Sequence, residues 1–478
     1  MKKRSSVSIN YLLNTGYQIL TLLTPLITTP YISRVLSPDK IGLFSYASAV
    51  TTYFVIFASI GTSIYARRKI AFLQDKKNEQ SSFFGEIFLL RFILFSIAEV
   101  IYAIFVYIVT GNSLLFWVQG INLVSDKYNI DWVYTGNEEF KYTIGRSTAI
   151  KLASIVAIFL FVKNPDDLVV YALILACSSL IGNLVMWLNI KRYISFNEVV
   201  WKIRLSHLSG SIKMFMPQIA GSVYLYFDKV MLKLLTTSTV ENGYYEQAQK
   251  IVRLSLTIIT SLPTVLLPRM ANACEKNEEG KVKEYLNQSI VFLLFLGIPM
   301  TLGLMAIASM IVPWFFGMDY LPVISLLIVL APILLFNGLY NMIGCQYLLA
   351  KKEENVLTIT ILCGSVINII LNYLLIGKYG AVGASIGSLI AELIVAGIQL
   401  IYVRHIIDLQ TIWKSTYGYL ISGVVMFIIL LYIKKYLEAT FINTLLMIAC
   451  GGVIYLCGVW ILKDPFVRKI SKMVNRKK

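Results

Sequence analysis

The sequence predicts an all-α integral membrane protein: about fourteen transmembrane helices, in two pseudo-symmetric six-helix lobes plus two C-terminal helices. Three observations carry this. Of the 478 residues, 57% are hydrophobic and only 14% charged, with a mean hydropathy of +0.71, a composition foreign to soluble domains. Apolar runs of roughly 20 residues, the length that crosses a bilayer, recur from end to end. Basic residues gather in the termini and in alternate loops, as cytoplasmic segments of membrane proteins do.

Taken in order, the spans fall at 9–33, 41–65, 85–109, 113–135, 145–163, 167–190, 212–236, 243–268, 285–311, 321–348, 355–376, 381–403, 415–434 and 441–462. The start, "MKKRSSVSINYLL", has the basic opening of a signal peptide. Its apolar continuation is too long and shows no A-x-A cleavage site, so it reads as a retained first span. Between spans six and seven, "SFNEVVWKIRLSHLSG" (195–210) mixes apolar and basic residues around a Trp. It reads as a helix lying in the cytoplasmic interface and marking a lobe boundary. The expected organisation is therefore an N-lobe over 1–194, an interfacial helix and C-lobe over 195–405, and two last spans with a basic tail over 406–478.

The long loops 66–84, 191–211 and 269–284 fall on one side. The other side carries few basic residues: Arg34, Lys40, Lys163, Lys378, Lys434 and Lys435. This bias places both termini in the cytoplasm. It also accounts for the net charge of +17 without nucleic-acid binding. The six cysteines have no C-x-x-C spacing, and His207 and His405 lie far apart. No disulfide framework, metal site or cofactor is indicated.

The halves echo each other. "RVLSPDKIGLFSYASAV" (34–50) and "KLLTTSTVENGYYEQAQKI" (233–251) open matching hairpins, with Gly42, Phe44 and Ala47 aligning on Gly243, Tyr245 and Ala248. Internal symmetry of this kind suggests a transporter that rocks one bundle against the other.

The charges inside spans single out candidate residues, because an ion in hydrocarbon costs several kcal/mol without a partner or water. On span seven, Gln218, Ser222, Tyr226, Lys229 and Lys233 follow helical spacing. On span eight, Glu246, Lys250, Arg253, Thr257 and Thr260 do the same. This polar stripe is net positive. Asp228 is turned about 100° away from it and needs a partner on another helix. Two readings stand: salt bridges that glue helices together, or a hydrated cavity that receives an anion. Simple pairing does not absorb the surplus of cations, which favours the cavity.

Spans one and two are neutral and polar, through Asn10, Asn14, Gln18, Thr21 and Thr28, then Ser45, Ser48, Thr52, Ser59 and Ser63, with Arg34 capping the hairpin. They read as helix packing or as a wall suited to sugar hydroxyls. Asp126, Lys127 and Asp131 on span four have Arg91, Arg146 and Lys151 as candidate structural partners. No loop is large enough for a catalytic domain, and there is no P-loop; the chain is not expected to be an enzyme.

Several stretches converge on one family. "NIDWVYTGNEEFKY" (129–142), "PQIAGSVYLYFDKVMLKLL" (217–235), "ENGYYEQAQKIV" (241–252), "LPTVLLPRMA" (262–271), "KYGAVGASIGSLIAEL" (378–393) and "TPYISRVLSPDKIGLFSYA" (29–47) resemble the polysaccharide-unit flippases, Wzx or RfbX-like, of the multidrug/oligosaccharidyl-lipid/polysaccharide exporter superfamily. Asp228, Gly243, Tyr245, Gln247 and Pro268 fall on that family's pattern.

The resemblance implies a cargo, an undecaprenyl-diphosphate-linked oligosaccharide turned from the cytoplasmic to the outer leaflet for capsule, O-antigen or exopolysaccharide assembly. It also implies a bacterial plasma membrane location, membrane lipids as surroundings, and a polysaccharide polymerase and glycosyltransferases as partners. Lys229, Lys233, Lys250, Arg253 and Arg34 would then form the substrate cavity. Asp228 and Glu246 would serve gating or coupling to an H+ or Na+ gradient. Alternatives are a lipid II flippase, a cation-coupled drug exporter of the same superfamily, which would need an acid-rich site, and, from another class, a membrane glycan polymerase, which would show a long outer loop.

Overall fold

The structure, a computed structural model, describes residues 7–462. It contains helices and connections, with no strand among the described residues. The basic N-terminus at residues 2–4 and the tail from 463 onward lie outside the described residues.

The first helix, α1 (Val7–Val35), carries Pro25 and Pro30 in its interior. It stops just before Ser37, which caps the next helix by accepting from the Lys40 amide. Pro38 occupies the first turn of that helix, α2 (Pro38–Ser59), where its missing N–H costs nothing. A left-handed Ile60 and Gly61 then turn the chain into α3 (Thr62–Phe72). The unit continues through α4 (Lys77–Val109), α5 (Leu114–Lys127), α6 (Asp131–Gly136), α7 (Phe140–Phe161), α8 (Leu168–Met186) and α9 (Ser206–Ser222).

A π-helical turn, Val223–Phe227, joins α9 to α10 (Asp228–Thr236). There follow α11 (Val240–Ile259), α12 (Ser261–Glu275), α13 (Glu279–Phe315), α14 (Val323–Leu330) and α15 (Ile333–Tyr340). A second π-helical stretch, Asn341–Leu348, precedes α16 (Glu354–Val403), α17 (Leu409–Ile433) and α18 (Phe441–Ile461).

Each of the fourteen expected segments coincides with helix. Eight helices among the described residues are long and apolar enough to cross a membrane, or nine if the pair 323–330 and 333–348, bent by 43°, forms one span. The eight include α16, which carries the eleventh and twelfth segments in one run. Segments one, four, seven and eight fall short of that test. They carry Asn10, Asn14 and Gln18, the charges of span four and the charged stripe, while the span-two hydroxyls and Arg91, Arg146 and Lys151 lie on segments that pass. Three of them are interrupted: the fourth at 128–130, the seventh at the π turn and the eighth at Thr260.

By compactness the chain divides into two units at Val230/Met231, inside α10. The first has an aromatic core in which Phe84 stacks on Trp132 at 5.5 Å and Tyr134 meets Tyr193 at 5.4 Å, around Ile70, Ile87 and Ile190. In the second, α17 and α18 pack on α13 through Met310, Tyr419, Met426, Met447 and Tyr455. The Tyr455 hydroxyl donates to the Phe295 carbonyl at 2.8 Å.

The interfacial helix expected over 195–210 is not formed. Residues 196–198 make one 3-10 turn, 199–204 are without helix, and α9 begins only at Ser206. The physical reason is local. "VVWKIR" opens with two β-branched valines and ends on an apolar–basic alternation over 201–204, a pattern that suits extended chain. The segment is held from α4 instead. Ser195 N–H donates to Ser81 Oγ at 2.9 Å, and Val199 and Val200 lie so close over Gly85 that a Cβ there would meet them at 2.5 and 2.6 Å.

The bend in α16 has a clear cause. Gly380 has φ +54°, a conformation that side chains disfavour. Glu241, in the first turn of α11, accepts the Ala381 amide at 2.6 Å and so caps the second half of α16. A Cβ at Gly380 would sit 2.5 Å from the Glu241 carboxylate. Gly380→Ala is therefore expected to destabilise the protein by about 1–3 kcal/mol and lower its melting temperature in detergent. Glu241→Gln, which keeps an acceptor, should cost less. An unchanged melting temperature in Gly380→Ala would contradict this origin of the bend.

Candidate substrate site

The residues singled out lie on two broken helical segments. On the seventh, the π turn inserts one residue per turn just before Asp228, which shifts the face that every later residue presents; such turns are frequent at functional sites. Asp228 and Lys229 are both buried, with 2% and 7% of their surface exposed. The Lys229 ammonium stands 5.9 Å from the Tyr226 ring centre. Tyr53 of α2 donates to the Ser222 carbonyl at 3.2 Å, meets the Phe227 ring edge-on at 6.2 Å, and lies within electrostatic reach of Asp228. Thus α2 braces the turn that carries Asp228.

Lys233 is half-buried and donates to the Thr237 carbonyl at 2.8 Å. It satisfies a carbonyl at the end of α10, which suits a cation at a helix C-terminus. This structural use was not visible in the stripe pattern.

On α11, one face is buried. Tyr245, Gln247, Ala248, Val252 and Ile259 point into the second unit, and the Tyr245 hydroxyl sits 2.9 Å from Ser388 Oγ while receiving the Gln249 amide at 2.8 Å. Gly243 is buried as well. Of the family-pattern residues, Gly243, Tyr245 and Gln247 are thus packing and hydrogen-bonding residues, whereas Pro268 is exposed on α12. The other face carries the stripe. Glu246 and Lys250 are brought together at 3.9 Å as an i, i+4 pair, both half-buried, and Arg253 and Thr257 are exposed. Arg34 is exposed near the end of α1. The side chains of Asn10, Asn14 and Gln18 lie outside the described residues.

Of the three candidate partners of span four, Arg91 and Arg146 face its acids, while Lys127 has a partner, Glu99, that the pattern did not suggest. Arg91 is fully buried and donates to Thr62 Oγ1 at 2.8 Å, Ser63 Oγ at 2.6 Å and the Asp126 carbonyl at 2.9 Å. It also interacts electrostatically with the Asp126 carboxylate, as Arg146 does with Asp131. Lys127 pairs with Glu99 at 2.8 Å. Lys151 donates to Thr21 Oγ1 at 3.2 Å.

Two polar groups were missed. Glu86 of α4 is buried, forms an ion pair with Arg204 at 2.8 Å and sits 2.7 Å from His207 Nε2, while the other ring nitrogen of His207 meets the Tyr65 hydroxyl at 3.1 Å. In the second unit, Glu392 of α16 is buried and accepts from the Asn337 amide at 2.7 Å, while Asn341 donates to Asn337 at 2.9 Å, at the junction where α15 passes into its π stretch. Each acid stood in an apolar run, "FFGEIFLL" and "SLIAELIV", and that was the available signal. No group of three metal-ligating side chains occurs among the described residues.

Arg91→Met should lower stability by about 3–5 kcal/mol, the usual cost of removing one member of a buried charged network. The measurement is the yield of monodisperse protein in detergent. Normal yield with a normal melting temperature would show that Arg91 is dispensable to the fold.

The family model described as polysaccharide biosynthesis protein matches residues 8–274, and that of the lipid II flippase MurJ matches residues 145–451. Among curated relatives, the putative O-antigen transporter of Escherichia coli (strain K12) is 22% identical over 80% of this chain and 93% of its own. That of Shigella dysenteriae is 21% identical over 78% and 94%. The probable low-salt glycan biosynthesis flippase Agl15 of Haloferax volcanii is 21% identical, covering 54% of each chain. Among solved structures, lipid II flippase MurJ in an inward closed conformation superposes with a TM-score of 0.77 at 18% identity, over 97% of this chain and 99% of that one. An inward-facing multidrug resistance MATE family transporter gives 0.63 at 14% identity, over 80% and 94%.

Proposed function

We propose a specific cargo and mechanism from the premise that the chain belongs to the polysaccharide biosynthesis protein family, as a Wzx-like flippase of the multidrug/oligosaccharidyl-lipid/polysaccharide exporter superfamily. It is a multi-pass membrane transporter of lipid-linked oligosaccharides, not an enzyme. The cargo is an undecaprenyl-diphosphate-linked repeat unit, taken from the cytoplasmic leaflet and delivered to the outer leaflet by alternating access. The host membrane is a bacterial plasma membrane with both chain termini cytoplasmic. Glycosyltransferases build the cargo and a polymerase receives it.

The observation that carries this reading is the cationic face of α11. Lys250 is half-buried, Arg253 is exposed one turn on, and the opposite face is packed into the second unit. A guanidinium and an ammonium so placed match a diphosphate, which they can grip by charge-assisted hydrogen bonds. Lys229, Lys233 and Arg34 add positive charge to the route. Asp228, buried beside Lys229 and braced by Tyr53, serves as the gate: a diphosphate that competes for its interactions would favour one state over the other, as alternating access requires. Proton or Na+ coupling through Asp228 or Glu246 is the variant of this scheme in which the gradient supplies that bias.

Lys250→Ala and Arg253→Ala should each weaken the grip on the head group by about 1.5–3 kcal/mol, roughly ten- to a hundredfold, and abolish surface polysaccharide at normal membrane level. Arg253→Lys should keep part of the activity, since the charge remains and the fork is lost. Normal export by both alanine variants would return the stripe to structural glue.

Asp228→Asn separates gate from coupling in proteoliposomes. As a gate, the variant flips labelled cargo leakily and without pH dependence. As a coupling residue, it loses gradient-driven accumulation but keeps downhill exchange. A variant with wild-type kinetics in both conditions has neither role. A reporter fused after residue 275 should read cytoplasm, and one at 113 or 240 the outside. Opposite signals at two of these would overturn the orientation.

A second reading has its own support: the lipid II flippase model matches residues 145–451. Complementation of a strain lacking its lipid II flippase tests it, and rescue would move the cargo to a peptidoglycan precursor.

A further inference from the structure

Where span four is interrupted at 128–130, the first unit holds a small polar pocket of about 120 Å³. Ser63 and Arg67 of α3, Asn129 at the break, and Asp131, Trp132 and Thr135 of α6 line it. Irregular backbone at membrane depth is tolerated where protein buries it or where it borders a water-filled cavity. Arg67 is exposed, and Ser63, Asn129, Asp131 and Thr135 are half-buried, so the pocket opens outward. In the orientation proposed above it lies at the cytoplasmic end of spans two and four, on the side where the cargo is made.

The hydrogen bonds already made around the pocket fix those that remain to be made. Thr135 gives its hydroxyl proton to the Asp131 carbonyl at 2.9 Å, which leaves its oxygen able to accept. Ser63 Oγ receives the Arg91 guanidinium at 2.6 Å, which leaves its proton to donate. Asn129 accepts the Asp131 amide at 2.8 Å and directs one N–H to the Asp126 carboxylate at 3.3 Å, which leaves the other N–H. The Asp131 carboxylate has Arg146 and Arg67 within electrostatic reach but receives no hydrogen bond among the described residues. Half-buried carboxylates are normally hydrogen-bonded, so the donor for this one comes from water or from a ligand.

The open positions are therefore mixed, with acceptors at Asp131 and Thr135 and donors at Ser63, Asn129 and Arg67. That mixture selects a ligand class. An anion would suit the donors but meet the Asp131 carboxylate, and a cation would meet Arg67. A hydroxyl both donates and accepts, so neighbouring hydroxyls satisfy the two sets together. The volume admits one edge of a sugar ring, not an oligosaccharide.

We propose that this pocket binds one sugar of the cargo through adjacent hydroxyls, one of them donating to the Asp131 carboxylate; the proposal rests on the cargo reading above. The site lets the first unit tell repeat units apart. A ring without the matching hydroxyl leaves the carboxylate unpaired, and sites built to hydrogen-bond a hydroxyl reject analogues that lack it.

The test uses the full chain in nanodiscs and two probes. One is the lipid-linked repeat unit isolated from the host, and the other is undecaprenyl diphosphate, which lacks the glycan. Wild type should bind the repeat unit more tightly. Asp131→Asn and Thr135→Val should each weaken binding of the repeat unit by about five- to tenfold, the worth of one hydrogen bond, and leave binding of undecaprenyl diphosphate unchanged. Thr135→Ser, which keeps the hydroxyl, should bind both probes as wild type does, and Thr135→Val should keep the wild-type melting temperature.

Equal affinity of wild type for the two probes, unchanged binding of the repeat unit in both variants, or equal loss on both probes would overturn the sugar site while leaving the cargo reading standing. If the wild-type protein binds neither probe, the cargo reading fails and the sugar site falls with it.

Discussion

An ion in hydrocarbon must have a partner or reach water, and nearly every unusual feature of this structure follows from that constraint. Arg91 illustrates the first solution. It is completely buried, and it is tolerated because three oxygens receive its guanidinium and a carboxylate stands nearby. Lys127 with Glu99, and Glu392 with Asn337, repeat the solution in each unit. The backbone obeys the same rule. Where helix is interrupted within a span, something must take up the freed amides and carbonyls. Tyr53 does so for Ser222, and Glu241 for Ala381.

In three segments a charge and a helix break coincide. Of the segments that are not long and apolar enough to cross a membrane on composition alone, the fourth, seventh and eighth carry charge and are also interrupted. A broken helix exposes polar backbone, and a charge needs polar surroundings, so each lowers the cost of the other. The π turn at Val223–Phe227 is the sharpest case. It changes the register of the helix immediately before Asp228 and Lys229, placing two ionisable groups where an unbroken helix would present different neighbours.

This pairing also explains what could be read from sequence. The all-helical membrane fold was legible, because apolar runs with basic connections have few other meanings. The span-four partners Arg91 and Arg146 were legible too, since few opposite charges were available within those spans. The contacts of Glu86 were not: His207 and Arg204 lie more than a hundred residues away, and no local periodicity records such a pairing. The segment 199–204 was misread because its basic and apolar residues suit an interfacial helix in composition, while its valines and the alternation over 201–204 favour extended chain. Lys233 counted as one more cation of the stripe until its bond to the Thr237 carbonyl gave it a local use. The π turn leaves no signature in residue type at all.

The contrast between Arg91 and Arg253 is the physical ground for looking to α11. Both guanidiniums belong to segments expected within the membrane. Arg91 is sealed inside the first unit with its hydrogen bonds made. Arg253 is exposed, on a helix whose opposite face is occupied by Tyr245, Ala248 and Val252. An exposed guanidinium facing acyl chains would carry a cost of several kcal/mol at mid-bilayer depth, whereas one facing water carries almost none. The face of α11 that bears Arg253, Thr257 and Lys250 therefore needs partners, water or both if it lies within the membrane. In the proposed reading, this face of α11 is the one that meets the anionic head group of the cargo.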